Sequence, residues 1–205
     1  MKFYVLLSGR NEEGSEFWFE PDKRTKVGNA PKCPSCCRYI GFVPLIPPIS
    51  GTLHCESGLV DLAGNIGVDV IISEQCLRIF EANLIRGINR CHRVEVTSID
   101  GPAIIGNSPQ MFLGEIGRWS AEIDRAASVL RTSESVSCRD CGYAGLVEGW
   151  NGICIREESW NGDDLFIPKG VPGTIVVSAR VRELCIEQGL AVSGLLPAET
   201  FSVQF

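Results

Sequence analysis

The chain has only two histidines, His54 and His92, in 205 residues. Imidazole is the side chain most often used to move protons near neutral pH, so histidine-based acid–base chemistry has few candidates here. No Gly-x-Ser-x-Gly elbow, phosphate-binding loop or His-Glu-x-x-His motif occurs, and the glycines between Gly64 and Gly67 lack the lysine and helix of a phosphate cradle. No run approaches the about 18 apolar residues of a membrane span. The opening Met1-Lys2-Phe3-Tyr4-Val5-Leu6-Leu7 has one lysine and an apolar run too short for a signal segment, so a cytoplasmic protein is expected. Basic residues are also few: 19 Lys and Arg against 25 Asp and Glu give a formal charge of −6. That balance suits a phosphate backbone poorly, making nucleic acid an unlikely partner, and suits a basic protein partner better.

Cysteine is abundant, with ten residues. In a cytosolic chain this favours metal binding over disulfides. Two short pairs stand out, Cys33-Pro34-Ser35-Cys36 and Cys138-Arg139-Asp140-Cys141-Gly142. Each can put two thiolates on one turn, and two such half-sites complete a tetrahedral Zn²⁺ centre. Cys33, Cys36, Cys138 and Cys141 are therefore the candidate ligands of a structural zinc. Buried thiols and a redox pair are the competing readings, although redox pairs usually open a helix after a strand. Cys37 stands where the second turn has Gly142, a point that usually needs positive φ, and offers a further sulfur. Cys76, Cys154 and Cys185 are expected to be buried; Cys55 and Cys91 neighbour the two histidines.

Strands are expected at residues 3–7 and 17–20, with a polar turn over 9–14 and an extended Pro-rich segment over 42–50. Residues 68–87 and 174–194 echo one another. Each is a β-rich run, a serine able to cap a helix (Ser73, Ser178), about three helical turns, and a turn residue (Asn83, Gly189) suited to the left-handed helix end. Leu77, Phe80 and Leu84, and Val181, Leu184 and Cys185, form the expected buried faces. Ile116, Trp119, Ile123, Ala126, Ala127 and Leu130 predict a third helix over 113–130. The last residues, 201–205, alternate as a strand does. Trp18, Trp119 and Trp150 are expected in the core. Glu157, Glu158, Trp160, Asp163 and Asp164 form an acidic cluster around an aromatic, read either as a solvated turn or as a surface for a basic partner.

The expected architecture is α+β: one compact unit of mixed sheets and about three helices. A zinc-ribbon-like module (27–45 with 134–156) joins the two halves. Residues 46–133 form an inserted α/β segment, and residues 163–205 a C-terminal β-α-β segment.

The two cysteine turns, the block Trp160-Asn161-Gly162-Asp163-Asp164-Leu165-Phe166, the run Gly173-Thr174-Ile175-Val176-Val177-Ser178, and the helix closed by Gly189-Leu190 and Gly194 are similar to the double-CXXCG motif protein family. The resemblance runs from Phe3 onward and departs at Cys37, where the motif has glycine. Some members of that family are immunity proteins for contact-delivered bacterial toxins. The resemblance thus implies a non-enzymatic inhibitor that binds a cognate toxin. A zinc-ribbon regulator of nucleic acid is the alternative, and a zinc hydrolase would need an open metal position.

Overall fold

The structure, a computed structural model, describes residues 1–10, 14–65, 69–101 and 110–204. It opens with strands β1 (Phe3–Leu6), β2 (Gly9–Arg10) and β3 (Glu16–Pro21). Strand β2 pairs antiparallel with β3, Gly9 opposite Phe17, and residues 11–13 of the expected polar turn lie outside the described residues. The short pair β4 (Lys26–Val27) and β5 (Leu45–Ile46) flanks the first cysteine turn. Next come β6 (Ile49–Cys55), β7 (Leu62–Gly64), β8 (Asp69–Ser73), helix α1 (Glu74–Ala82) and the long β9 (Ile88–Asp100).

The second half runs β10 (Met111–Glu122), β11 (Arg131–Thr132), the second cysteine turn, β12 (Val147–Asn151), β13 (Leu165–Lys169) and β14 (Ile175–Ser178). Helix α2 (Ala179–Glu187), β15 (Leu195–Pro197) and β16 (Ser202–Gln204) follow. The tail strand expected over 201–205 is thus β16, and Phe205 lies outside the described residues, as does Val68 at the start of the first echo.

Eleven strands form one sheet, ordered β15-β1-β14-β13-β10-β9-β6-β3-β2, with β8 also on β10 and β7 on β8. Strands β11, β12 and β16 make a second sheet. The central β13 and β14 are buried on both faces, which explains their unbroken apolar runs. Leu165, Ile175 and Val177 face a core that includes Phe80, Val181 and Leu184 of the helices. Phe166 and Val176 face the opposite core, with Phe3, Val5 and Trp150. A third cluster lies between β3, β6, β8 and β10 and holds Phe19, Leu53 and Ile71.

The expected helix over 113–130 is instead β10 and the turn that follows it. Among the described residues there are two α-helices, so the fold is mixed α/β with far more strand than helix. The physical cause is that β10 touches all three cores. Met111 and Leu113 enter the third, Ile116 the first, and Ala121 the second, which Ile123 joins just past the strand. One edge of β10 pairs antiparallel with β8 over Met111 to Glu115, then parallel with β13 from Gly117. Trp119, at φ +65°, marks the break in register. A strand that changes partners and cores loses period-two alternation, and its apolar spacing then imitates a helix.

The two echoed units are built alike. Ser73 caps α1, its Oγ accepting the Cys76 N–H at 3.1 Å. Ser178 takes the same place before α2, but its hydroxyl donates to Asp164 Oδ1 at 2.8 Å. In α2, Gly189 is left-handed at φ +64° and Leu190 N–H returns to Cys185 O. In α1 the left-handed residue is Leu84 (φ +53°), not Asn83, and Ile85 N–H returns to Phe80 O. The helices have equal length, so Asn83 matches Gln188 at the cap and Leu84 matches Gly189. Leu84 is therefore pushed into solvent, at 77% exposure, rather than onto the buried face.

Each unit grips the other's return loop. Before β7, Asp61 accepts from Ser73 Oγ (2.6 Å) and from Ala191 N–H (2.9 Å) in the loop after α2. Before β13, Asp164 accepts from Ser178 Oγ and from Arg86 N–H (3.0 Å) in the loop after α1. The two helical units are thereby interlocked.

Candidate metal centre

Each cysteine turn is closed by backbone bonds that fix its sulfurs. Cys37 N–H donates to Cys33 O and Gly142 N–H to Cys138 O, both at 2.9 Å. Cys33 N–H also donates to Arg38 O at 2.8 Å. Cys37 and Gly142 both have positive φ, +59° and +69°. The turns face each other in matched order: Cys33 Sγ lies 3.9 Å from Cys138 Sγ, and Cys36 Sγ 3.6 Å from Cys141 Sγ. Between them Ser35 Oγ donates to Asp140.

All four sulfurs lie within 4.8 Å of one another. Four thiolates around a tetrahedral metal at about 2.3 Å stand about 3.8 Å apart, so the donor set and its spacing fit such an ion. Cys33 and Cys138 are buried, Cys36 and Cys141 half-buried. The backbone N–H groups of Cys141 and Asp140 favour the Cys138 thiolate and lower its pKa to about 7, while burial pushes Cys141 up to about 12.

A constant displacement of 105 residues relates Cys33 to Cys138 and Cys36 to Cys141. It also relates β4 to β11 and α1 to α2. The centre therefore joins equivalent points of two repeated halves. Cys37 is exposed and stands outside the four-sulfur group. Cys55, Cys76 and Cys185 are buried, whereas Cys91 and Cys154 are only half-buried.

The setting of the second turn includes a residue that sequence reasoning missed. Arg125, in the turn after β10, donates to Gly142 O from a partly desolvated position that lowers its pKa. Beside it lies a cleft of about 870 Å³. Its charges are largely paired within the chain: Lys169 and Arg156 on Glu122, Arg156 also on Glu158, and the N-terminal ammonium on Glu157.

The acidic cluster proves to be internally occupied. Trp160 packs edge-on against Phe3 at 5.5 Å and its Nε1–H donates to Asp163 O. Asp163 accepts from Ser120 Oγ and Asn161 Nδ2. Asp164 is 4% exposed and also meets Arg180 at 3.1 Å, so it is an internal anchor rather than a surface acid. Of the tryptophans expected in the core, Trp150 is buried, whereas Trp18 and Trp119 are half-exposed. Trp18 stacks on His54, whose ring nitrogens lie 3.1 Å from Glu20 and Asp100 on opposite sides. His92 lies 3.6 Å from Glu115. These contacts place neither histidine with the cysteine group. No helix among the described residues is long and apolar enough to cross a membrane.

No protein-family model matches this sequence, and no curated protein matches it significantly.

Proposed function

We propose that this chain is an immunity protein, which neutralises a cognate protein toxin in the cytoplasm by forming a one-to-one complex with it. A Zn²⁺ held by Cys33, Cys36, Cys138 and Cys141 would tie its two halves. The observation that carries the reading is the closed four-cysteine group. Four protein sulfurs fill every position of a tetrahedral ion and leave none for substrate, so the centre suits a scaffold rather than a reaction. The resemblance of the cysteine turns and the C-terminal block to the double-CXXCG proteins supplies the toxin. No catalytic step is assigned to any residue.

The test is co-expression with the toxin encoded beside this chain's gene. Protection of the host and a stoichiometric complex on gel filtration are expected; neither protection nor complex would end the reading. A tetrahedral four-sulfur site accepts zinc or iron. Elemental analysis is expected to give one zinc per chain, and Cys138→Ser to lose it.

A further inference from the structure

We propose that the tongue of residues 22–46, which carries the first cysteine turn, is the face that holds the protein partner, and that the partner's matching face is acidic around an apolar centre. The proposal rests on the toxin-binding reading and assigns its surface.

The tongue is stiff and well closed. Asp22 N–H donates to Ser50 O and Ser50 Oγ to Asp22 Oδ2 at its base, both at 2.8 Å. The β4–β5 ladder and Gly28 N–H to Pro44 O continue the closure, and the Lys32–Tyr39 bridge completes it next to the cysteines. A surface preorganised in this way loses little entropy on binding.

Its charge opposes that of the chain. Lys23, Arg24, Lys26, Lys32 and Arg38 stand against Asp22 alone, in a protein of net −6. All five cations are exposed, and none forms an ion pair among the described residues. Lys32 and Arg38 lie instead over the rings of Tyr39 and Tyr143. The acids of 157–164 show the reverse, since each is bonded within the chain. The net charge of the chain points to a basic partner; the unpaired charge of the tongue itself points to an acidic one.

The tongue is also the apolar part of the surface. Val27, Tyr39, Phe42, Val43 and Ile46 are 41–67% exposed. The five tongue residues are nearly half of the eleven large hydrophobic side chains that the described residues expose, in a segment of 25 residues. Exposed aromatic and aliphatic groups on the same segment as unpaired cations match a protein interface. A nucleic acid gains nothing from Val27 or Ile46, and its long polyanion would run onto the acidic body.

The experiment measures binding of the full chain to the toxin from the adjacent gene. Lys23→Glu/Arg24→Glu/Lys26→Glu together are expected to weaken binding at least about tenfold, mainly through the association rate, and to flatten its salt dependence. Phe42→Ala is expected to weaken it by about 30-fold through dissociation. Both should keep wild-type metal content and melting, and Glu157→Gln/Glu158→Gln should bind as wild type. Wild-type affinity in both tongue variants would overturn the assigned surface while leaving the toxin reading intact. No binding by the wild-type chain would overturn both. Tongue-dependent capture of a fluorescent single-stranded oligonucleotide, with toxin binding insensitive to the same substitutions, would assign the face to nucleic acid instead.

Discussion

Cys37 and Gly142 occupy the same point of the two cysteine turns, each left-handed and each donating its N–H 2.9 Å to the carbonyl of the first cysteine. An L-residue in that conformation costs about 1–2 kcal/mol, and glycine gives back about 0.5–1 kcal/mol through its freer unfolded state. Cys37→Gly is therefore expected to stabilise the protein by up to about 1 kcal/mol, raising Tm by about 2–4 °C, with metal content unchanged. Gly142→Ala should lower stability by up to about 1 kcal/mol by the same balance. Its new Cβ would meet the Lys169 stem at 3.3 Å and Arg125 Nη2 at 3.5 Å, both ends of flexible side chains, so strain rather than collision decides the loss. Thermal melts of both variants check the pair, and loss of metal from Cys37→Gly would make Cys37 a ligand.

The ten thiols should separate by reactivity, because the thiolate is the nucleophile and access limits it. Cys37 is the exposed one. In the metal-loaded protein at neutral pH, maleimide is expected to label it first, and Cys37→Ser to remove that phase. A chelator should then release the four ligands. Cys76 and Cys185 should react only on unfolding, because burial pushes both pKa values up, Cys185 to about 11. Their linkage to stability has a definite sign. Above the ordinary thiol pKa of 9.0 the unfolded chain loses these protons while the folded one keeps them. Stability is thus complete below pH 9 and falls as pH rises toward 11, by up to about 1.4 kcal/mol per unit per thiol. Urea titrations across that range measure the slope; a flat profile would mean that these thiols are accessible to water.

Asp164 anchors three groups, Ser178 Oγ, Arg86 N–H and Arg180, at 4% exposure, and Asp61 plays the matching part for Ser73 Oγ and Ala191 N–H while half-exposed. Removing a buried acceptor leaves donors unsatisfied, which costs more than the bond itself was worth. Asp164→Ala is expected to destabilise by about 3 kcal/mol, or about 6–12 °C in Tm. Asp61→Ala should cost about 1–2 kcal/mol, because water replaces part of what is lost. Equal losses in calorimetry would show that the difference in burial does not matter.

Local chemistry was legible in the sequence wherever one residue type answers one geometric need. The Ser73 cap, the two helices that the serines precede, Val181, Leu184 and Cys185 on one face, and the pairing of the cysteine turns all belong to that class, whereas the Ser178 hydroxyl turns to Asp164 instead of capping. The left-handed end of α1 was misplaced because Asn83 tolerates that conformation better than Leu84, yet the equal lengths of the two helices put Leu84 there. Strand β10 was misread because it serves three cores and changes neighbours between Glu115 and Gly117, information held by its partners and not by its own residues. Asp164 looked like a surface acid because nothing in a run of polar residues reveals that Ser178 and Arg86 converge on it. The displacement of 105 residues was present in the numbering, and its meaning emerged once both turns met at one point.

Gly87 sits in the loop that Asp164 grips, at φ +107°, and a Cβ built there would fall 1.8 Å from Leu165 O. Gly58 has a similar φ, +112°, with nothing within 4 Å of its Cβ position. Both glycines answer a backbone need, but only Gly87 also permits a close approach, that of the α1 return loop to β13. Gly58→Ala is expected to lose up to about 1 kcal/mol, the backbone strain less the entropy that glycine costs on folding. Gly87→Ala must move the loop or the strand, break the Arg86–Asp164 bond and open the first core at Leu165. Its loss should exceed about 4 kcal/mol, enough to leave little folded protein at 37 °C in a domain of ordinary stability. Melting curves of the two variants side by side isolate the contact from the dihedral, and equal losses would mean that the loop does not lie against β13 in solution.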